Sequence, residues 1–135
     1  MINEEGTLLE SALNAGANLC GLKNCKVKTL MTSRDDATVE KLKKIIHTYD
    51  LCLIGCNICT GWYSCNASDY KIKHTAQSCG GHAIVCCGYT EEGFIIQNHW
   101  SKTWGHMGFA VIPYDVFKKE FLYAAWLTNM YDNID

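Results

Sequence analysis

Between Gly80 and Phe109 the chain carries the groups needed to move a proton in a controlled direction. The run Gly80-Gly81-His82-Ala83-Ile84-Val85 puts a histidine at the start of an apolar stretch, and Ile96-Gln97-Asn98-His99-Trp100 puts an asparagine at the end of the next. Two adjacent antiparallel strands set a residue entering one beside a residue leaving the other. His82 and Asn98 are therefore expected to meet across a hairpin. A carboxamide oxygen that accepts one ring N–H fixes the imidazole tautomer and leaves the other nitrogen free to take a proton from a thiol. Trp100 is expected to shield that hydrogen bond from water, which strengthens it. A lone histidine is more often a satisfied core or surface side chain. Here Gly81, Asn98, Trp100, Trp104 and Gly105 stand around it in one block, and packing of the two tryptophans in a core is compatible with shielding.

The nine cysteines offer other chemistry. Cys56-Asn57-Ile58-Cys59, with Cys52 and Cys65 nearby, has the two-residue gap of a zinc knuckle. The second knuckle is absent, and Cys52 and Cys56 fall in an apolar strand, where buried thiols are common. No metal or cofactor is expected. Cys86 and Cys87 are neighbours on a strand and should point to opposite faces, which makes at least one of them a small core residue.

The elements that position these groups follow from pattern. Thr7 with Glu10 forms a capping box ahead of Leu8, Leu9, Ala12 and Leu13, which predicts a first helix ending at Gly16. Residues 17–35 read as a loop with one short strand around Val27. A second helix is predicted from Ala37 to Thr48, with Asp36 as N-cap and with Val39, Leu42, Ile45 and Ile46 on its buried face. Lys41, Lys43 and Lys44 give that helix a wet face. Leu51 to Ile58 reads as a strand, and His82 to Tyr89 with Phe94 to Asn98 as a hairpin turning at Glu91-Glu92-Gly93. A strand from Gly108 to Ile112, a single helical turn from Asp115 to Glu120 and a last strand from Leu122 to Leu127 complete the second half.

Composition bounds the rest. A chain of 135 residues, 48% apolar and 19% charged, has enough length to bury a core without disulfides. The formal net charge of −2 and scattered basic residues recommend neither a nucleic-acid nor a membrane partner. No apolar run approaches the ~20 residues of a spanning helix, and Met1 leads into Asn3, Glu4 and Glu5 rather than a signal peptide. The odd cysteine count favours free thiols. If these residues are the complete product, the cytoplasm is the expected location.

The Gly80 to Phe109 block resembles the papain-like cysteine peptidases, with His-Ala-Ile-Val at 82–85, Cys-Gly-Tyr at 87–89, Asn-His-Trp at 98–100, Trp-Gly at 104–105 and Gly-Phe at 108–109. Weaker likeness extends over Gly6 to Ala15, Thr38 to Gly55, and Val111 to Tyr114 with Phe117. The resemblance implies an α+β fold, namely the C-terminal half of the papain-like architecture: a small antiparallel sheet with two packing helices. Residues 1–135 would form one domain, with 1–35 a helix and loop segment and 36–135 the helix and sheet carrying the site. It also implies that His82 is general base and acid and that Asn98 is its orienter. Trp100, Trp104 and Gly81 would support the site. His99 stands where the family has Ser, and Ser101 where it has Gly after the Trp. Ser101 would alter the turn if that position needs positive φ.

The family's Gln and its Cys-Gly-Ser-Cys-Trp nucleophile stretch have no counterpart here. Cys20, in Cys20-Gly21-Leu22-Lys23-Asn24-Cys25, has a superficial likeness, but no Trp follows and no helix pattern begins there. The expected function is therefore part of a cysteine peptidase acting on a peptide or protein substrate. Its thiol would come from a missing segment or a second chain, and the chain alone would be nearly inert. Exposed apolar surface at the missing half would favour a partner or self-association. The alternative, from a different class, is a catalytically inactive pseudo-peptidase that serves as a protein-binding module.

Overall fold

Asp35 begins the longest helix. Its backbone is extended, and its Oδ1 accepts from the backbone N–H of Thr38 at 3.0 Å and from the Thr38 hydroxyl at 3.1 Å. Helix α1 then runs over Asp36–Tyr49. The cap is thus Asp35 rather than the expected Asp36. Either aspartate could serve by type, but Asp36 is engaged elsewhere, with Lys118 Nζ at 2.7 Å. Val39, Leu42, Ile45 and Ile46 are buried, the expected stripe at helical spacing. Asp50, at φ 75°, ends the helix by donating its N–H to Ile46 O at 2.8 Å.

The computed structural model describes Ala15 and residues 25–30 and 34–129. The predicted first helix, Ala15 apart, lies outside the described residues, and so does Cys20.

Six strands form one antiparallel sheet: β1 (Cys25–Leu30), β2 (Cys52–Cys59), β3 (Ser78–Tyr89), β4 (Gly93–Gln97), β5 (Phe109–Pro113) and β6 (Phe121–Asn129), in the order β1-β6-β2-β3-β4-β5. A second helix, α2 (Tyr114–Glu120), joins β5 to β6. The class is α+β, an antiparallel sheet with two helices, as expected. Helix α1 lies against β2, β3 and β6, while α2 lies against β2, β4 and β5. The two helices meet at the Lys118–Asp36 pair.

Side-chain alternation explains the core. Cys52, Ile54, Cys56 and Ile58 of β2 are all 3% exposed or less, so one face of the central strand is sealed. Phe94, Ile96, Ile112, Phe117 and Phe121 are fully buried from the later elements. Cys86 is fully buried and Cys87 half-buried. The register between β3 and β4 slips between Cys86 and Gly88, and Cys87 is the extra residue of that bulge.

The segment after β2 carries no period in the sequence, and no element is expected there. Thr60–Ser64 forms a short 3-10 helix that sends Trp62 into the interior, where it is fully buried. Five residues are too few to show an apolar period. The ring of Trp62 lies against the rings of His82, Trp100 and Trp104.

Candidate active site

His82 lies on β3, opposite Cys56 on β2, and Gly81 lies opposite Asn57. Asn98 follows the last residue of β4, and Gln97 is registered with Val85. The hairpin therefore brings the ring and the amide together, with His82 Nε2 2.8 Å from Asn98 Oδ1.

A second hydrogen bond decides which way this one runs. The backbone N–H of His99 donates to the same Asn98 Oδ1 at 2.9 Å. A backbone N–H can only donate, so the atom facing it must be the amide oxygen. That oxygen can only accept from His82, so Nε2 carries the ring proton. Neutral His82 then has Nδ1 bare and basic. Asn98 is 6% exposed, and its Nδ2 has no partner among the described residues.

An aromatic enclosure surrounds the ring. The Trp100 ring lies 4.9 Å from His82 between centroids, and the Trp62 ring meets His82 edge-on at 6.0 Å. Trp104 stacks on Trp62 at 6.1 Å with planes 16° apart, and its indole N–H donates to Trp62 O at 2.6 Å. Tyr63 stacks on the far side of Trp100 at 5.1 Å. Trp62 and Tyr63 are the members of this set that the sequence pattern did not single out, and Trp62 is the buried one. Its only local signal is a tryptophan beside a glycine between two cysteines.

The loop from Asn98 to Phe109 is held by its own backbone. Asn98 N–H donates to Gly108 O at 2.9 Å, Gly108 N–H to Trp104 O at 2.9 Å, and Gly105 N–H to Cys65 O at 3.2 Å. Gly105 has φ 60°, and a Cβ there would fall 2.3 Å from Phe109 O. Gly105→Ala is expected to cost at least about 2 kcal/mol and to loosen the Trp104 anchor. A urea midpoint equal to that of the unsubstituted chain would contradict this. Ser101 is free of the strain anticipated for it, because Asp50 and Met107 are the non-glycine residues with positive φ among those described. Its hydroxyl instead accepts from Thr103 N–H at 3.2 Å, a local turn that suits serine.

Burial pulls the His82 pKa below its ordinary 6.5, the Asn98 hydrogen bond opposes that, and His99 adds to the lowering. The ring is therefore neutral at pH 7. As pH falls below about 6.5, the unfolded chain takes up this proton more readily than the folded one. Stability carried by neutral His82 is present above that pH and is lost as acid is added, down to the depressed folded-state pKa. His82→Gln is expected to flatten the loss of stability between pH 7.5 and 5.5, read by urea denaturation. Identical slopes for the two proteins would contradict the depressed value.

Two of the described thiols, Cys56 and Cys65, are poor nucleophiles. Cys56 is registered opposite His82, but it is fully buried, and burial together with Glu120 pushes its pKa far up. Cys65 is pushed up to about 11, mainly by burial. No thiol among the described residues hydrogen-bonds His82. The two-residue cysteine gap assembles no knuckle among the described residues: of Cys52, Cys56, Cys59 and Cys65, only Cys59 belongs to a group of potential metal ligands there. A groove of about 570 Å³ beside Tyr70, His106 and Phe109 is lined by neither His82 nor Asn98.

No family model matches the chain, and no curated protein does. Among solved structures, the chain is similar to xylellain, a cysteine protease from Xylella fastidiosa, with a TM-score of 0.61 and 19% identity over 77% of this chain. The fold is peptidase-like. The match spans 41% of the xylellain chain, so the present chain corresponds to less than half of that protein. Within this peptidase-like fold, the hairpin β3–β4 and the loop after it hold the His82–Asn98 pair.

Proposed function

We propose that this chain supplies the general base His82 and its orienting amide Asn98 to a papain-like cysteine peptidase site, with the attacking thiol brought by a segment outside the described residues or by a second chain. The observation that carries this reading is the Nε2–H to Oδ1 hydrogen bond at 2.8 Å, with Oδ1 fixed from behind by the His99 backbone N–H. It leaves Nδ1 as the ring atom available to a thiol.

The chemistry follows from that tautomer. Nδ1 takes the thiol proton, giving a thiolate beside an imidazolium whose Nε2–H stays on Asn98. The thiolate attacks the scissile carbonyl carbon, and Nδ1–H then protonates the departing amine, leaving a thioester. Water, deprotonated by the neutral ring, hydrolyses the thioester and restores the thiol. Trp100 and Trp62 keep water from competing for the His82–Asn98 hydrogen bond. Tyr63, 59% exposed on the outer face of Trp100, offers apolar surface to the part that carries the thiol.

The second reading, an inactive module that binds proteins through the same sheet, is favoured by the state of Cys56, the registered thiol, which burial holds protonated. A thiol-directed epoxide separates the two. The chain would be treated alone and together with candidate partner segments carrying a Cys-Gly-x-Cys-Trp stretch. Labelling of the partner cysteine that depends on His82 is the expected result. His82-dependent labelling of Cys20 would place the nucleophile in this chain. Partners that bind without any His82-dependent labelling would favour the binding module.

A further inference from the structure

Away from Asn98, on the other side of Trp62, three side chains from three separate segments converge. Glu120, at the end of α2, is 1% exposed, and its Oε2 lies 3.1 Å from Cys59 Sγ and 2.7 Å from His74 Nδ1. The three potential ligand atoms all lie within 4.8 Å of one another. We propose that Cys59, His74 and Glu120 form a binding site for a zinc-class divalent metal ion.

The geometry asks for little movement. Zinc sits roughly 2.0–2.3 Å from sulfur, nitrogen and oxygen ligands, which puts neighbouring ligand atoms roughly 3.2–3.8 Å apart in a tetrahedron. Two hydrogen-bonded edges already meet on one oxygen, and a slight opening of both, with the Cys59–His74 edge drawn in from at most 4.8 Å, admits an ion. The Cys59 thiol proton is released to solvent on binding. A neutral His74 gives up its proton at Nδ1 while Nε2, toward solvent, takes one. Thiolate, carboxylate and dication then sum to zero charge, which suits a buried place.

The ligands are also oriented from outside, as metal ligands usually are. The Thr75 backbone N–H donates to Cys59 Sγ at 3.2 Å, which holds the sulfur in place. The Trp62 indole N–H donates to Glu120 Oε1 at 2.7 Å, which turns Oε2 toward the other two side chains. The His74 side chain is 35% exposed and gives an ion its way in and a position for water as fourth ligand. One thiolate, one imidazole and one carboxylate select zinc, cobalt or similar ions over magnesium or calcium, which need more oxygens. Cys59 itself, 2% exposed, is closed to a substrate.

The test is direct metal titration of the reduced, metal-free full chain, with cobalt followed by its thiolate charge-transfer and d–d absorption and zinc by competition with a chromophoric chelator. One ion per chain is expected, in a tetrahedral cobalt spectrum. Cys59→Ser and His74→Ala should each weaken binding by about a hundredfold or more, above the effect typical of outer-shell changes. His74 is at the surface, so His74→Ala should keep the fold, checked by circular dichroism. Absence of stoichiometric binding would overturn the site, as would binding that both variants leave intact. The readout is independent of peptidase activity and of His82.

Discussion

Replacing His82 by alanine in an assembly that supplies the thiol is expected to lower turnover by about a millionfold, the scale seen when one member of a comparable nucleophile and base set is removed. Without the ring, the proposed site loses the group that would hold the thiol as thiolate and protonate the departing amine. Asn98→Ala should cost less, between about a hundredfold and ten-thousandfold, because Nε2 loses its acceptor and the tautomer is no longer fixed. Active-site titration with the epoxide, alongside hydrolysis of a peptide amide, measures both. If His82→Ala kept more than a hundredth of the turnover, the base would have to be another residue.

The second large effect is on stability, at a residue that never touches a substrate. Trp62 is fully buried, stacked on Trp104, edge-on to His82, and bonded to Glu120. Truncation to alanine empties an indole-sized space, which typically costs about 3–5 kcal/mol. It also strips a buried carboxylate of a donor, for about 1–3 kcal/mol more. Domains of ordinary size are stable by only about 5–15 kcal/mol. Trp62→Ala is therefore expected to be largely unfolded at 37 °C, whereas Trp62→Phe, which keeps a ring and loses the N–H, should fold with a lowered urea midpoint. A Trp62→Ala protein within about 1 kcal/mol of the parent would contradict the central place given to this ring.

The strands and helices were legible where a period could run. The Val39, Leu42, Ile45, Ile46 stripe repeats long enough to read, and β2 through β5 show as apolar runs set off by turn residues. The pairing of His82 with Asn98 was legible for the same reason, since a hairpin with a short turn has few registers. The N-cap shifted by one because two aspartates compete and the ion pair of Asp36 with Lys118 comes from 82 residues away. Trp62 was hidden in a five-residue 3-10 turn. The Cys59, His74 and Glu120 group was illegible for a deeper reason. Its members stand 15 and 46 residues apart (74 − 59 and 120 − 74), and only the closing of β6 onto β2 draws the end of α2 to the end of β2. No local spacing encodes that meeting.

The arrangement also shows how one side chain serves two places. The Trp62 indole gives its edge to His82 and its N–H to Glu120, so rigidity at the carboxylate is passed to the ring that the histidine leans on.

The nitrogen spectrum of the His82 ring tests the central claim most directly. Long-range proton–nitrogen correlation at neutral pH should show the Nε2–H tautomer with an unprotonated Nδ1, a pKa below 6.5, and a shift toward mixed tautomers in Asn98→Ala. A proton resident on Nδ1, or a ring indifferent to the loss of Asn98, would contradict the account.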